Sequence, residues 1–260
     1  MKKYFRLWWI YTKAAAQLSL ESRLGAVFFL VGKFLRFLLM FYFLYILLSQ
    51  TKSLQNYTFW QVIFFYATFS LIDGIPQFLL REVYRFRRHV MSGYFDYVLL
   101  QPQKTLFKSL FAGSDVLDIP LLIFSFGLLI YSAFQIGPVN LTGVILYILL
   151  FINSLVIALS FHIFVLGLGI LTTEVDNSIM LFRDITRMGQ MPITIYQYPI
   201  SFIITFIIPV GIMMTFPVQA MLGLLAPYLV VLSFGFGLIF IFLSYTFWKY
   251  ALLRYQSVSS

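Results

Sequence analysis

Between Asp118 and Glu174 the chain runs for 55 residues without Asp, Glu, Lys or Arg, and residues 188–248 form a second such run of 61. A helix needs about 20 apolar residues to cross the bilayer core, so each run holds two crossings. The break in the first is written in turn chemistry, Gln135-Ile136-Gly137-Pro138-Val139-Asn140. The second leaves roughly 20 residues over. A soluble core cannot hide this surface. Of 260 residues, 61% are hydrophobic and 10% charged, where a soluble domain has about half and a quarter. The expected fold class is an all-α polytopic membrane protein.

Upstream, residues 53–72 carry no charge and extend to about Leu80 as one more crossing. Residues 28–48 make another, with Lys33 and Arg36 in its first half. A charge at mid-bilayer is costly, and the long stems of Lys and Arg can snorkel to the headgroups, which sets the inner end of this span near Lys33. The six expected spans are 28–48, 58–80, 112–134, 141–165, 193–215 and 226–248, in one transmembrane domain covering residues 1–260. With both termini inside, the inner segments hold fifteen Lys and Arg, and the outer loops only Lys52. The positive-inside rule therefore predicts cytoplasmic N- and C-termini. Trp8, Trp9, Trp60 and Trp248 all fall near expected span ends, as in an interfacial belt.

The connections carry their own patterns. In residues 3–20, Lys2, Arg6, Lys13 and Gln17 share a helical face, with Phe5, Trp8 and Ala15 opposite and Trp9 flanking; this predicts a helix lying in the membrane interface. Lys13 interrupts any apolar leader core, so a cleaved signal is not expected. The inner loop 81–111 sets Arg81, Arg85, Arg87, Arg88 and His89 before a bulky apolar stretch from Val90 to Leu100. A short helix there should bury that stretch against a partner or the membrane surface. Residues 172–192 read as a solvated extension of span 4, with Arg183 and Arg187 on one face. The apolar segment from Met214 to Pro227 predicts a re-entrant or interfacial element on the outer side. Pro199 and Pro209 should kink span 5.

Few residues could carry chemistry. Asp73 precedes Gly74-Ile75-Pro76, where the helix should distort, and Asp115 and Asp118 are three apart on one face. Intramembrane acids can line a cation or proton path, or they can pair with Arg81, Arg85, Lys104 or Lys108. His162 sits within a Phe, Ile and Leu run and reads as a packed histidine. There is no cysteine, no HExxH and no tight acid–histidine cluster, so neither a metal site nor a cofactor is expected. The net charge of +9 anchors cytoplasmic loops and does not point to nucleic acid. No GxxxxGK[ST] occurs, so the chain is not expected to be an enzyme and any ATP-driven work needs another subunit.

The run Arg87-Arg88-His89-Val90-Met91-Ser92-Gly93-Tyr94-Phe95-Asp96-Tyr97-Val98-Leu99-Leu100-Gln101-Pro102 resembles the inner loop of ABC transporter permeases of the type-2 exporter class. The chain is more narrowly similar to permeases of its own size encoded beside a second permease and an ATPase. Asp115 also matches, and Phe216-Pro217-Val218-Gln219-Ala220-Met221-Leu222-Gly223 resembles the family's Pro-x-x-Ala-x-x-Gly segment. One departure is Gln101, which stands where a basic residue is common. The resemblance implies a bacterial inner-membrane export permease. Its loop after span 2 would be a coupling helix docking on a separate ABC ATPase, two copies per complex, with Arg87, Arg88, Gly93, Tyr94, Phe95, Asp96, Leu99, Leu100 and Pro102 in the coupling loop. It further implies pairing with a second permease, as a heterodimer or a homodimer, within membrane lipid. The rival reading is an ion-gradient-driven transporter or channel using Asp73, Asp115 and Asp118.

Overall fold

The structure, a computed structural model, describes residues 2–51, 53–172 and 175–257. Lys52, the one cation counted on the outer side, and Glu174 lie outside the described residues. Those described are helical, with no strand beyond one bridge between Leu54 and Tyr57. Five helices are long and apolar enough to cross a membrane: α2 (Arg23–Thr51), α3 (Phe59–Leu79), α7 (Ile119–Ile136, extended by a 3₁₀ turn Val116–Asp118), α8 (Leu141–Thr172) and α12 (Pro227–Leu253). Before α2 lies α1 (Lys2–Glu21). Between α3 and α7 lie a 3₁₀ turn Arg81–Arg85 and three short helices, α4 (Phe86–Met91), α5 (Tyr94–Leu99) and α6 (Thr105–Phe111). A separate α9 (Val175–Thr186) follows α8 where an extension was expected.

Local signals set these ends. The Thr58 N–H donates to Gln61 Oε1 at 2.9 Å as α3 begins. Asp115 Oδ1 accepts from the Leu117 N–H, and Pro120 stands in the first turn of α7. Gly137, at φ 99°, ends α7, and Asn140 Oδ1 receives the Thr142 N–H at the start of α8. At 32 residues α8 is about 48 Å long, well beyond a ~30 Å core. The distortion expected at Gly74–Pro76 is absent: α3 runs unbroken through Pro76.

The bundle is held by two seams of small residues. A lipid-facing helix gains little by hiding apolar surface, so close backbone approach and polar bonds join helices instead. Along α8 and α12, Gly167 lies under the Phe247 ring, Gly237 under Asn153, and Asn153 Nδ2 donates to the Ser233 carbonyl at 2.8 Å. Along α3 and α7, Gly74 receives Leu122. The most enclosed helix is α3, which carries the main core from Val62 to Ile72. A second core joins Val83, Phe86, Phe95 and Val98 to Leu166 of α8 and Trp248 of α12. Trp248, expected in the interfacial belt, is 2% exposed inside this core.

The expected span over 193–215, with kinks at Pro199 and Pro209, is a sharply bent pair of short helices. Residues 193–195 are a 3₁₀ turn, and helix starts only at α10 (Ile200–Phe202), continuing as a π turn to Ile207. The chain then bends by 81° before Gly211–Met221, a π turn running into α11 (Phe216–Met221). Pro209 cannot donate a backbone bond, and Gly211 lies so close to Thr205 that a Cβ would meet its Oγ1 at 2.6 Å. The loosened backbone finds partners elsewhere: Ser154 Oγ donates to the Met213 carbonyl at 2.7 Å, and the Ile193 N–H donates to Thr215 Oγ1 at 3.2 Å. The stretch from Met214 to Pro227, expected as a re-entrant or interfacial element, thus begins inside this sharply bent pair, with α11 largely buried on the bundle. Gly223, at φ 70°, turns it toward α12.

Gly143 of α8 sits where an added Cβ would meet the Met221 carbonyl at 2.7 Å, whereas one at Gly235 would meet nothing within 4 Å. Gly143→Ala should therefore destabilise the chain by about 1–3 kcal/mol. Gly235→Ala should be neutral or stabilising, by up to ~1 kcal/mol. Thermal unfolding in detergent compares the two, and equal melting points would contradict the packing described.

Candidate coupling surface and intramembrane polar layer

The apolar stretch of the inner loop does not present one face. Gly93, at φ 73°, turns the chain between α4 and α5. Phe95 and Val98, three apart on α5, then point inward. Phe95 is 1% exposed and makes edge-on contacts with Phe86 and Tyr255, at 5.1 and 5.0 Å between centroids. Phe95, expected on the docking surface, therefore belongs to the base beneath it. Tyr94, Tyr97, Leu99 and Leu100 face outward, with Leu100 84% exposed. Met91 of α4 is exposed beside them. Arg87 pairs with Asp176 of α9 at 3.2 Å, while Arg88 and Pro102 are exposed. Asp96 accepts hydrogen bonds from Tyr255 and Ser257 of the C-terminal tail.

Lys108 anchors this loop from below. It is buried, donates from Nζ to Tyr94 Oη at 3.1 Å and to Gln101 Oε1 at 2.8 Å, and lies over the Tyr94 and Tyr97 rings. Gln103 Nε2 adds a donor to the same Gln101 oxygen at 2.6 Å. Gln101 is thus an acceptor shared by two donors, one of them charged. A basic residue there would set cation against cation.

Behind Lys108 the Glu82 carboxylate lies between Arg85 and His89, each at 3.5 Å. Burial pushes its carboxyl up, opposed by Arg85 and Lys108. Burial also pulls His89 down, helped by Lys108, Arg85 and Arg88. Both shifts favour the neutral form. From α1, Trp8 Nε1 donates to Ser114 Oγ at 2.8 Å, and Tyr4 packs edge-on to Phe107. The aromatic side of α1 thus covers protein at Trp8 and Ala15, leaving Phe5 exposed with the basic face.

The intramembrane acids separate into different settings. Asp118 pairs with Lys33 of α2, and its Oδ2 is buried with no partner among the described residues. Lys33, expected to snorkel, turns inward. Asp115 pairs with Arg81 at 3.4 Å, and its own N–H donates to the Phe78 carbonyl. Asp73 accepts from Gln77 Nε2 at 2.7 Å, one helical turn away. Asp73 and Asp118 line one small cavity of about 40 Å³ with Lys33, Arg36 and Gln190. His162 is buried, donates from Nδ1 to the Ala158 carbonyl at 2.7 Å, and shares a second small cavity with Asp73, Tyr84 and Arg183. The Lys33–Asp118 pair escaped sequence reasoning, although a cation inside one span and an acid at the end of another were its signal.

Two outcomes follow. Lys33→Met or Asp118→Asn alone should cost about 3–5 kcal/mol by leaving one buried charge, and the double variant should recover much of it in a thermal-unfolding cycle. Gln101→Arg should destabilise the folded chain by about 1–3 kcal/mol, read as a lower melting point, with recovery in Gln101→Arg/Lys108→Gln. Additive effects in either cycle would refute the contact.

No curated protein and no solved structure matches the chain. A family model described as ABC-2 family transporter protein matches residues 34–259. The chain, a multi-pass membrane protein, belongs to the ABC-2 family of transporter membrane proteins.

Proposed function

We propose that the chain is the membrane-spanning subunit of an ATP-driven exporter, coupled through α5 to a separate ATPase. The observation that carries this reading is the split character of α5. Phe95 and Val98 fix it to the core shared with α8 and α12, while Tyr94, Tyr97, Leu99 and Leu100 stand exposed as an apolar knob. Exposed aromatics on a rigid base are suited to a buried contact with another protein. The rim is basic, with Arg87 and Arg88 beside Met91. On the positive-inside count this end and both termini face the cytoplasm, where ATP is available.

Two such subunits, this chain with a related partner or a second copy, would flank a lateral path. Two ATPases closing on ATP would displace the α5 knobs and change the path's access by rigid-body movement of the spans. The chain contributes no catalytic group. Ion pairing of Asp115 and Asp118 with Arg81 and Lys33 gives these acids a structural use, so the ion-gradient reading gains no support from them.

The test is co-purification of the tagged chain from native membranes in gentle detergent. A stoichiometric protein bearing a P-loop is expected. Tyr97→Asp/Leu100→Asp should reduce its recovery by about tenfold or more, with membrane insertion and melting point unchanged. Phe95→Asp should instead lower the melting point. Full recovery of the ATPase and normal transport with Tyr97→Asp/Leu100→Asp would overturn the docking assignment.

A further inference from the structure

The segment after α12 returns to α5. After α12 closes at Leu253, residues 254–257 pass across the short helix. Tyr255 Oη donates to Asp96 Oδ1 at 2.8 Å, and Ser257 Oγ donates to Asp96 Oδ2 at 2.6 Å. Both oxygens of one carboxylate are thus taken by the tail. The Tyr255 ring also lies edge-on to Phe95, which is edge-on to Phe86, whose ring meets Trp248 of α12 at 6.3 Å. Trp248 and Ala251 are buried against the same core, and Ala251 lies by Gly167 of α8. The chain from α12 through the tail to α5 and back to α12 is therefore closed by packing on one side and by two charge-assisted bonds on the other.

We infer that Asp96 is a positioning residue that straps α5 to the last span through the C-terminal tail, so that α5, α8 and α12 move as one body. By sequence, α5 lies between α3 and α7, and a displacement of it would be expected to travel up those two helices. The strap redirects it. A push on the outward knob of α5 reaches α12 directly, 159 residues away in sequence from Asp96 to Tyr255. A tyrosine suits this role, because burial and the neighbouring carboxylate hold its hydroxyl up at about 12, leaving the phenol a donor at any physiological pH. Asp96 also stands in the first turn of α5, where an acid favours the helix. That local role would hold with no tail present, so the test must act from the tail.

The strap itself does not depend on the proposed export function; only the transmission of motion rests on that reading. The full chain in nanodiscs is compared with Tyr255→Phe, which keeps the ring against Phe95, with Ser257→Ala, and with a chain ending at Arg254. None of these alters a residue of α5. Hydrogen exchange of the amides from Tyr94 to Gln101 should accelerate about tenfold in Tyr255→Phe/Ser257→Ala, as expected for loss of bonds to a charged group. Unchanged protection of α5 in both the double variant and the shortened chain would overturn the strap. In the complex with its ATPase, the double variant should keep ATPase association and ATP hydrolysis while transport per ATP falls severalfold. Loss of protection with transport per ATP unaltered would overturn transmission through the strap. Failure of the wild-type chain to hold any ATPase would instead defeat the coupling function, with the exchange result still deciding the strap.

Discussion

A bilayer core offers no water to hydrogen-bond an exposed backbone group or to solvate a charge. Most of the unusual features of this chain are answers to that constraint. Where the backbone departs from α-helix, between Ile193 and Thr215, side chains take up the displaced bonds: Ser154 reaches the Met213 carbonyl and Thr215 receives the Ile193 amide. Two pairs of charges at the membrane region meet each other, Lys33 with Asp118 and Arg81 with Asp115. Hydroxyls of α8 and α12 that could have faced lipid, such as Ser160 and Ser233, bond their own helix one turn back.

The same constraint explains what could be read from sequence. Charge-free length counts crossings well, because every crossing must be apolar whatever its neighbours; the starts of α8 and α12 fall at or beside their expected residues. It cannot locate a bend inside an apolar run, because both arms satisfy the same test. Pro209 gave the place, but Pro76 sits unbroken in α3 and looks no different in sequence. What decides is whether neighbouring side chains can reach the freed carbonyl, and that is a tertiary fact.

The loop between α3 and α7 was legible in position and not in orientation. Its apolar stretch between basic residues stood out, yet six-residue helices have too few turns for periodicity to separate Phe95 from Tyr97. Burial of Phe95 depends on Phe86, Tyr255 and the end of α12, none of them near in sequence. Lys33 was misread for a related reason: snorkelling is a rule about a helix alone in lipid, and Asp118 lies on another helix.

The Lys33–Asp118 pair also bears on how the protein is made. Its partners are 85 residues apart, and α2 buries only Ala26, Phe37, Leu44 and Leu48 of its 29 residues. During synthesis α2 enters the membrane carrying a cation whose counter-charge has not yet been translated. The ion pair can form only after the third crossing has been made, and a chain interrupted before Asp118 would leave Lys33 without this partner.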